Sequence, residues 1–235
     1  MKNTKKHGIT KILTFLLIIA GIVIISILTN KKASLDNPVA YDTIYLFNGR
    51  DLSNWNIVLK DSLADPNSTF FVKEGNIQTS GAPFGYLRTL ERYSDYNLSV
   101  EWKWLAEPGN SGVFLHIQDD GIWPVCLECQ LMANRAGDFV CFPGFNFTEH
   151  IEKDKLAVSK REESSEKPAG EWNYYDIRVN GDSISIYVNN VLQNIATKTN
   201  FSEGHIALQS EGAPVEFRNV YLTKKVKQQS DSNIN

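Results

Sequence analysis

"NLSVEWKWLAEPGNSGVFLHIQ", residues 97–118, holds two short apolar alternations on either side of a Pro-Gly turn. In the first arm Leu98, Val100, Trp102 and Trp104 alternate with Ser99, Glu101 and Lys103. In the second, Val113, Leu115 and Ile117 alternate with Phe114, His116 and Gln118. A period of two sends successive side chains to opposite faces, so each arm predicts a strand with one greasy face and one chemical face. Working outward, the same pattern recurs. In FFVKEGNIQTS, residues 70–80, Glu74, Gly75 and Asn76 supply turn chemistry between two strand-like runs and predict a hairpin. Asn180-Gly181-Asp182 predicts another, joining a strand that ends at Val179 to one that starts near Ser183. HIALQS (205–210) and VEFRNVYLT (215–223) read as closing strands. No long helical period interrupts the series after Tyr45, which points to an all-β sandwich.

Composition narrows the function. With 235 residues, 42% of them apolar, the chain can bury one sizeable core. Its net charge of −3, with Lys and Arg scattered among Asp and Glu, leaves no broad basic surface for a phosphate backbone, so nucleic acid is excluded as the expected partner. The amino end differs from the rest. Residues 12–28 contain no charge and would form a hydrophobic helix able almost to cross a hydrocarbon core of about 30 Å. Residues 1–30 are therefore read as a membrane anchor or a signal segment. Lys2, Lys5, Lys6 and Lys11 precede the apolar run and Lys31 and Lys32 follow it, which favours a cytoplasmic amino end and an exported domain. Residues 31–43 read as a tether, 44–225 as the sandwich, and 226–235 as a polar tail.

Three cysteines, Cys126, Cys129 and Cys141, do not make a disulfide framework. Positions three apart on a strand face opposite ways, so Cys126 and Cys129 cannot grip one metal ion and are expected to pack as small buried residues. Residues 142–171 are long, charged and weakly patterned, and read as a solvated loop with a lid over a site as the alternative.

In IWPVCLECQL, residues 122–131, a carboxylate sits in an apolar run. Period two puts Val125, Leu127, Cys129 and Leu131 on one face and Cys126, Glu128, Gln130 and Met132 on the other. Glu128 can thus project from the outer face of a sheet whose inner face is packed. A carboxylate beside an amide that both donates and accepts suits a sugar-binding groove, and a solvent-facing strand glutamate is the alternative.

LFNGRDLSNW (46–55), FGYLRTLERYSDYNLSVEWKW (84–104), GNSGVFLHIQ (109–118), IWPVCLECQLMANRAGD (122–138), GEWNYYDI (170–177) and IALQSEGAPVEFRNVYL (206–222) resemble, in order, the bacterial 3-keto-disaccharide hydrolase family. The resemblance implies a concanavalin A-like jelly-roll sandwich, often exported, that acts on glycosides oxidised at carbon 3. An ordinary glycosidase needs two carboxyl groups across the bond, whereas the alternate positions here hold Cys126, Glu128 and Gln130. A 3-keto sugar needs less, because its carbonyl acidifies the hydrogen on carbon 2. On this reading Glu128 is the general base, the aglycone leaves by elimination, and a donor or cation steadies the enediolate. His116 is the expected catalytic companion. Gln130, Arg88, Asn110, Trp123 and Gln209 are the expected substrate contacts, with Trp55 and His205 read chiefly as structural. A divalent metal, with ligands such as Glu128 and His116, is left open, since no ligand triplet has diagnostic spacing. The expected partner is a glycan or an oxidised disaccharide; the competing reading is a glycan-binding module without catalysis.

Overall fold

The computed structural model describes residues 40–226, so the charge-free run at 12–28 and residues 227–235 lie outside the described residues. Among the described residues two antiparallel sheets stack face to face. The first contains β1 (Tyr41–Tyr45), β3 (Phe70–Lys73), β4 (Asn76–Thr79), β6 (Tyr96–Trp104), β11 (Asn173–Asn180), β12 (Ser183–Val188), β13 (Val191–Ala196) and β15 (Val215–Lys225). Its order is β13-β12-β11-β6-β15-β4-β3, with β1 also paired to β15. The second contains β2 (Trp55–Leu59), β5 (Gly85–Thr89), β7 (Gly112–Ile117), β8 (Leu127–Gln130), β9 (Phe139–Cys141), β10 (Ala157–Val158) and β14 (His205–Ser210), ordered β10-β9-β8-β7-β14-β5-β2. One helical turn, α1 (Pro66–Thr69), is capped by Asp65, whose carboxylate accepts from the Asn67 N–H at 3.0 Å. No helix among the described residues is long and apolar enough to cross a membrane.

The alternations become the core. Leu98, Val100 and Trp102 from the first sheet meet Val113, Leu115, Leu127 and Cys129 from the second in one buried cluster. Each fully buried large apolar side chain there contributes about 1.5–3 kcal/mol. Both hairpins form as expected, with Glu74 and Gly75 at positive φ in the first and Asn180 opposite Ser183 in the second. The Pro-Gly turn after Trp104 carries the chain from one sheet to the other. Two boundaries differ from the sequence reading. β1 begins at Tyr41, inside the stretch read as tether, because this exposed strand is held by its backbone ladder to β15 and not by an apolar face. A short strand, β10, lies within the stretch read as a loop and pairs with β9.

Alternation fails at His116. This residue takes φ 56° and the β7–β14 register shifts between His205 and Ala207, so a bulge reverses the faces after Leu115. Gly204 permits it, since a Cβ there would fall 2.3 Å from the His116 carbonyl carbon. The imidazole turns inward against Tyr96 and Phe145, and Ile117 takes the outer face. Nδ1–H donates to the Phe201 carbonyl at 2.9 Å. Burial, against the opposing pull of that bond, brings the imidazole down to about 4.

This fixes an acid limb. The unfolded chain takes up the His116 proton from about pH 6.5 downward and the folded chain only near pH 4, so stability falls as pH drops through that window and levels below it. The loss amounts to about 3 kcal/mol. Urea melts at stepped pH should show this limb in the wild type and a flatter one in His116→Gln.

Candidate active site

Glu128 stands in β8 on the face turned away from the first sheet. Leu127, Cys129 and Leu131 belong to the core between the sheets, whereas Cys126 joins a second cluster with Tyr86, Phe114, Ile117, Phe142 and Ala207. That cluster is buried because the chain folds over it. Phe142 lies against Phe114 with centroids 5.3 Å apart. Residues 118–125 are pinned across the strands, with Tyr86 Oη donating to the Gly121 carbonyl at 2.7 Å and Arg88 forking onto Asp120 at 2.5 and 2.8 Å.

Strand register lays out the floor. One row across β5, β14, β7 and β8 reads Arg88, Ala207, Phe114, Glu128. The next pairs Tyr86 with Gln209 and Gly112 with Gln130, and continuing the β14–β7 register sets Gln209 beside Gly112. The bare glycine is a depression into which the Glu128 carboxyl leans: a Cβ at Gly112 would lie 2.3 Å from Glu128 Oε1.

Glu128 is only 3% exposed, its Oε1 has no hydrogen-bond partner, and no ion pair among the described residues involves it. Burial, reinforced by the nearby Glu211 carboxylate, holds its carboxyl well above the usual carboxylate range. Glu211 follows β14 directly, and backbone bridges from Asn110 to Glu211 and Gly212 bring it to the start of β7. Its Oε2 accepts from Asn110 Nδ2 at 2.7 Å and Gln209 Nε2 at 2.8 Å. Burial raises the Glu211 carboxyl too, partly offset by the Gln209 bond. Asn110 Oδ1 and Gln209 Oε1 are buried without partners.

The structure thus gathers Glu128, Asn110 and Gln209 and adds Glu211, which was not among the expected site residues. Its signal was its place two residues after Gln209 in IALQSEGAPVEFRNVYL. Gln130 lies next to the depression, but its Oε1 is engaged by the Leu131 and Met132 N–H groups at 2.8 and 2.7 Å and holds the chain where β8 ends. Arg88 lies in the Glu128 row, three strand spacings or about 14 Å away, tied to Asp120. Trp123 is 53% exposed, lies tilted against Phe84 at 4.2 Å and stacks toward Phe142 at 6.1 Å, so its exposed surface borders the aromatic cluster. His205 Nδ1 bonds to the Glu91 carbonyl and Trp55 is buried in the core. His116 does not share the Glu128 face: the bulge puts it in the core, so it cannot join Glu128 around a metal ion. No group of three His, Cys, Asp or Glu side chains among the described residues is arranged for a metal.

Comparison with known proteins agrees with this architecture. The chain is similar over 79% of its length to a candidate glycosyl hydrolase from Parabacteroides distasonis ATCC 8503 (19% identity, TM-score 0.58, 94% of that chain). It is also similar to carbohydrate binding module CBM66 from Bacillus subtilis (16% identity, TM-score 0.53, 75% of this chain and 98% of that one) and to a Bacillus licheniformis β-glucanase (14% identity, TM-score 0.52, 80% and 98%). At these identities the likeness is one of fold, a jelly-roll sandwich. No curated protein matches the sequence. The sequence pattern of the 3-keto-alpha-glucoside-1,2-lyase-like domain spans residues 42–223, nearly the whole sandwich, and the chain therefore belongs to that family.

Proposed function

We propose that the protein is a carbohydrate-active enzyme that cleaves 3-keto-glycosides by elimination, with Glu128 as the general base. The observation that carries this reading is a buried carboxyl with no counterion, seated over a glycine depression beside Asn110, Gln209 and Glu211. Removing a proton from carbon needs a base stronger than an ordinary carboxylate, and burial supplies that strength. Glu128 takes the hydrogen of C2, and the electron pair enters the C3 carbonyl as an enediolate. The pair then returns to form the C1=C2 bond as the C1–O bond breaks. The aglycone leaves with a proton and the C3 ketone is restored. Water adds at C1, and a proton returns to C2. Asn110 and Gln209 offer hydrogen-bonding groups to ring hydroxyls, and the open face of Trp123 suits the apolar face of a pyranose.

The decisive experiment incubates the protein with a 3-keto-disaccharide and with its unoxidised parent in heavy water. Cleavage of only the oxidised sugar, with deuterium at C2 of the released product, is the expected result. Cleavage of both without deuterium would replace elimination with ordinary glycoside hydrolysis. Binding without cleavage of either would favour a glycan-binding module. Trp123→Ala should raise KM about tenfold and leave kcat within about twofold, because an exposed stacking face contributes to binding ground state and transition state alike.

A further inference from the structure

Residues 118–125, which join β7 to β8, have no regular structure of their own. The base of the segment is closed from within. Gln118 N–H donates to the Val125 carbonyl at 3.0 Å, and the Asp119 carboxylate accepts from the Gly121 and Val125 N–H groups at 2.8 and 3.0 Å. Its far side is held from outside, by a single strand. Period two along β5, continued back to the residue before it, sets Phe84, Tyr86 and Arg88 on one face. Arg88 forks onto Asp120, Tyr86 Oη donates to the Gly121 carbonyl, and the Phe84 ring lies against Trp123. Since β14 lies between β7 and β5, the segment spans β14 to reach these partners.

Arg88 was expected to touch the sugar, yet its guanidinium is turned elsewhere. A further N–H donates to the Thr89 carbonyl at 2.9 Å, and the side chain is only 13% exposed. At about 14 Å from Glu128 it lies beyond reach of the reacting atoms. What it holds does lie close to them. Trp123 stacks toward Phe142, Phe142 lies against Phe114, and Phe114 is the cross-strand neighbour of Glu128. An irregular segment left free would have to be ordered each time a sugar bound, and that ordering would be subtracted from affinity.

We propose that Arg88 is a positioning residue for sugar binding: through its fork onto Asp120 it holds residues 118–125 in place, and so fixes Trp123 relative to Glu128 before the sugar arrives. The inference rests on the reading of Trp123 as a sugar contact, and holds whether or not the bound sugar is cleaved.

The test uses the full-length protein. Arg88→Gln and Asp120→Ala should each speed amide hydrogen exchange in residues 118–125 about tenfold or more, with the melting temperature within about 3 °C of wild type, because a partly exposed pair contributes little to global stability. In a Glu128→Gln background, where calorimetry reads binding without turnover, each should raise the Kd for a 3-keto-disaccharide about three- to tenfold. On the active protein KM should rise by the same factor and kcat stay within about twofold. Added to Trp123→Ala, Arg88→Gln should cost nothing more, since it acts through that ring. Arg88→Lys, which keeps the charge without the fork, should recover part of the affinity. Asp120→Ala separates positioning from contact, because it releases the guanidinium: wild-type affinity there, with a loss in Arg88→Gln, would put Arg88 on the sugar and overturn the proposal. Unchanged exchange in residues 118–125, or full additivity with Trp123→Ala, overturns it too. If the Kd changes as expected but the wild type cleaves no 3-keto sugar, the positioning role stands and elimination fails. If both variants cleave the oxidised sugar with wild-type KM, the reaction stands and the positioning role fails.

Discussion

Glu128→Gln is expected to lower kcat on a 3-keto-disaccharide by about 10²–10⁴-fold while raising the melting temperature. The opposing signs follow from one fact, the burial of a carboxyl with an unsatisfied oxygen. Glutamine keeps the shape, removes the base, and abolishes the penalty of ionising in a desolvated site. That relief is about 1–2 kcal/mol, or ~2–6 °C for a domain of this size. The pH dependence separates this from a general packing effect. The folded-state pKa of Glu128 is raised, so the wild type retains the carboxyl proton where the unfolded chain has lost it. Its stability is therefore fully present below the ordinary carboxylate pKa and declines as pH rises above it, until the folded protein also ionises. The advantage of Glu128→Gln should grow over that range. A variant that loses both activity and stability would show Glu128 to be structural.

Gly112→Ala should reduce kcat/KM about 100-fold or more and shift the melting temperature by only a few degrees. The added methyl would meet Glu128 Oε1 at 2.3 Å and Cδ and Cγ at 2.8 Å, all atoms of one flexible side chain. The carboxyl can yield where a backbone could not, so the damage falls on its position. A displacement near 1 Å is enough to spoil proton transfer. Circular dichroism melts and steady-state kinetics on the same preparation check both halves. Unchanged kinetics would mean that the carboxyl does not work from above the glycine.

These two residues also show how far the site was legible. Period two in CLECQ correctly set Glu128 apart from Leu127 and Cys129, because β8 is regular. The same rule misplaced His116, since a bulge held by a left-handed residue and a glycine 88 positions further along leaves no local mark in SGVFLHIQ. Glu211 escaped notice for a related reason. It lies past the end of β14, where alternation no longer applies, and meets Asn110 only through long-range bridges. The hairpins at Glu74-Gly75 and Asn180-Asp182 were easier, because their chemistry is local. The first three residues of β1, Tyr41 to Thr43, went to the tether because a strand exposed throughout and held by a ladder alone has no apolar signature.

The pairing of Tyr41 with Lys225 brings both borders of the sandwich out side by side on the first sheet, across the core from Glu128. Tyr41 and Lys225 thus belong to the sheet that does not carry Glu128. A label attached on β1 or at the end of β15 should consequently leave turnover of a 3-keto sugar unchanged, since neither strand belongs to the sheet that holds Glu128.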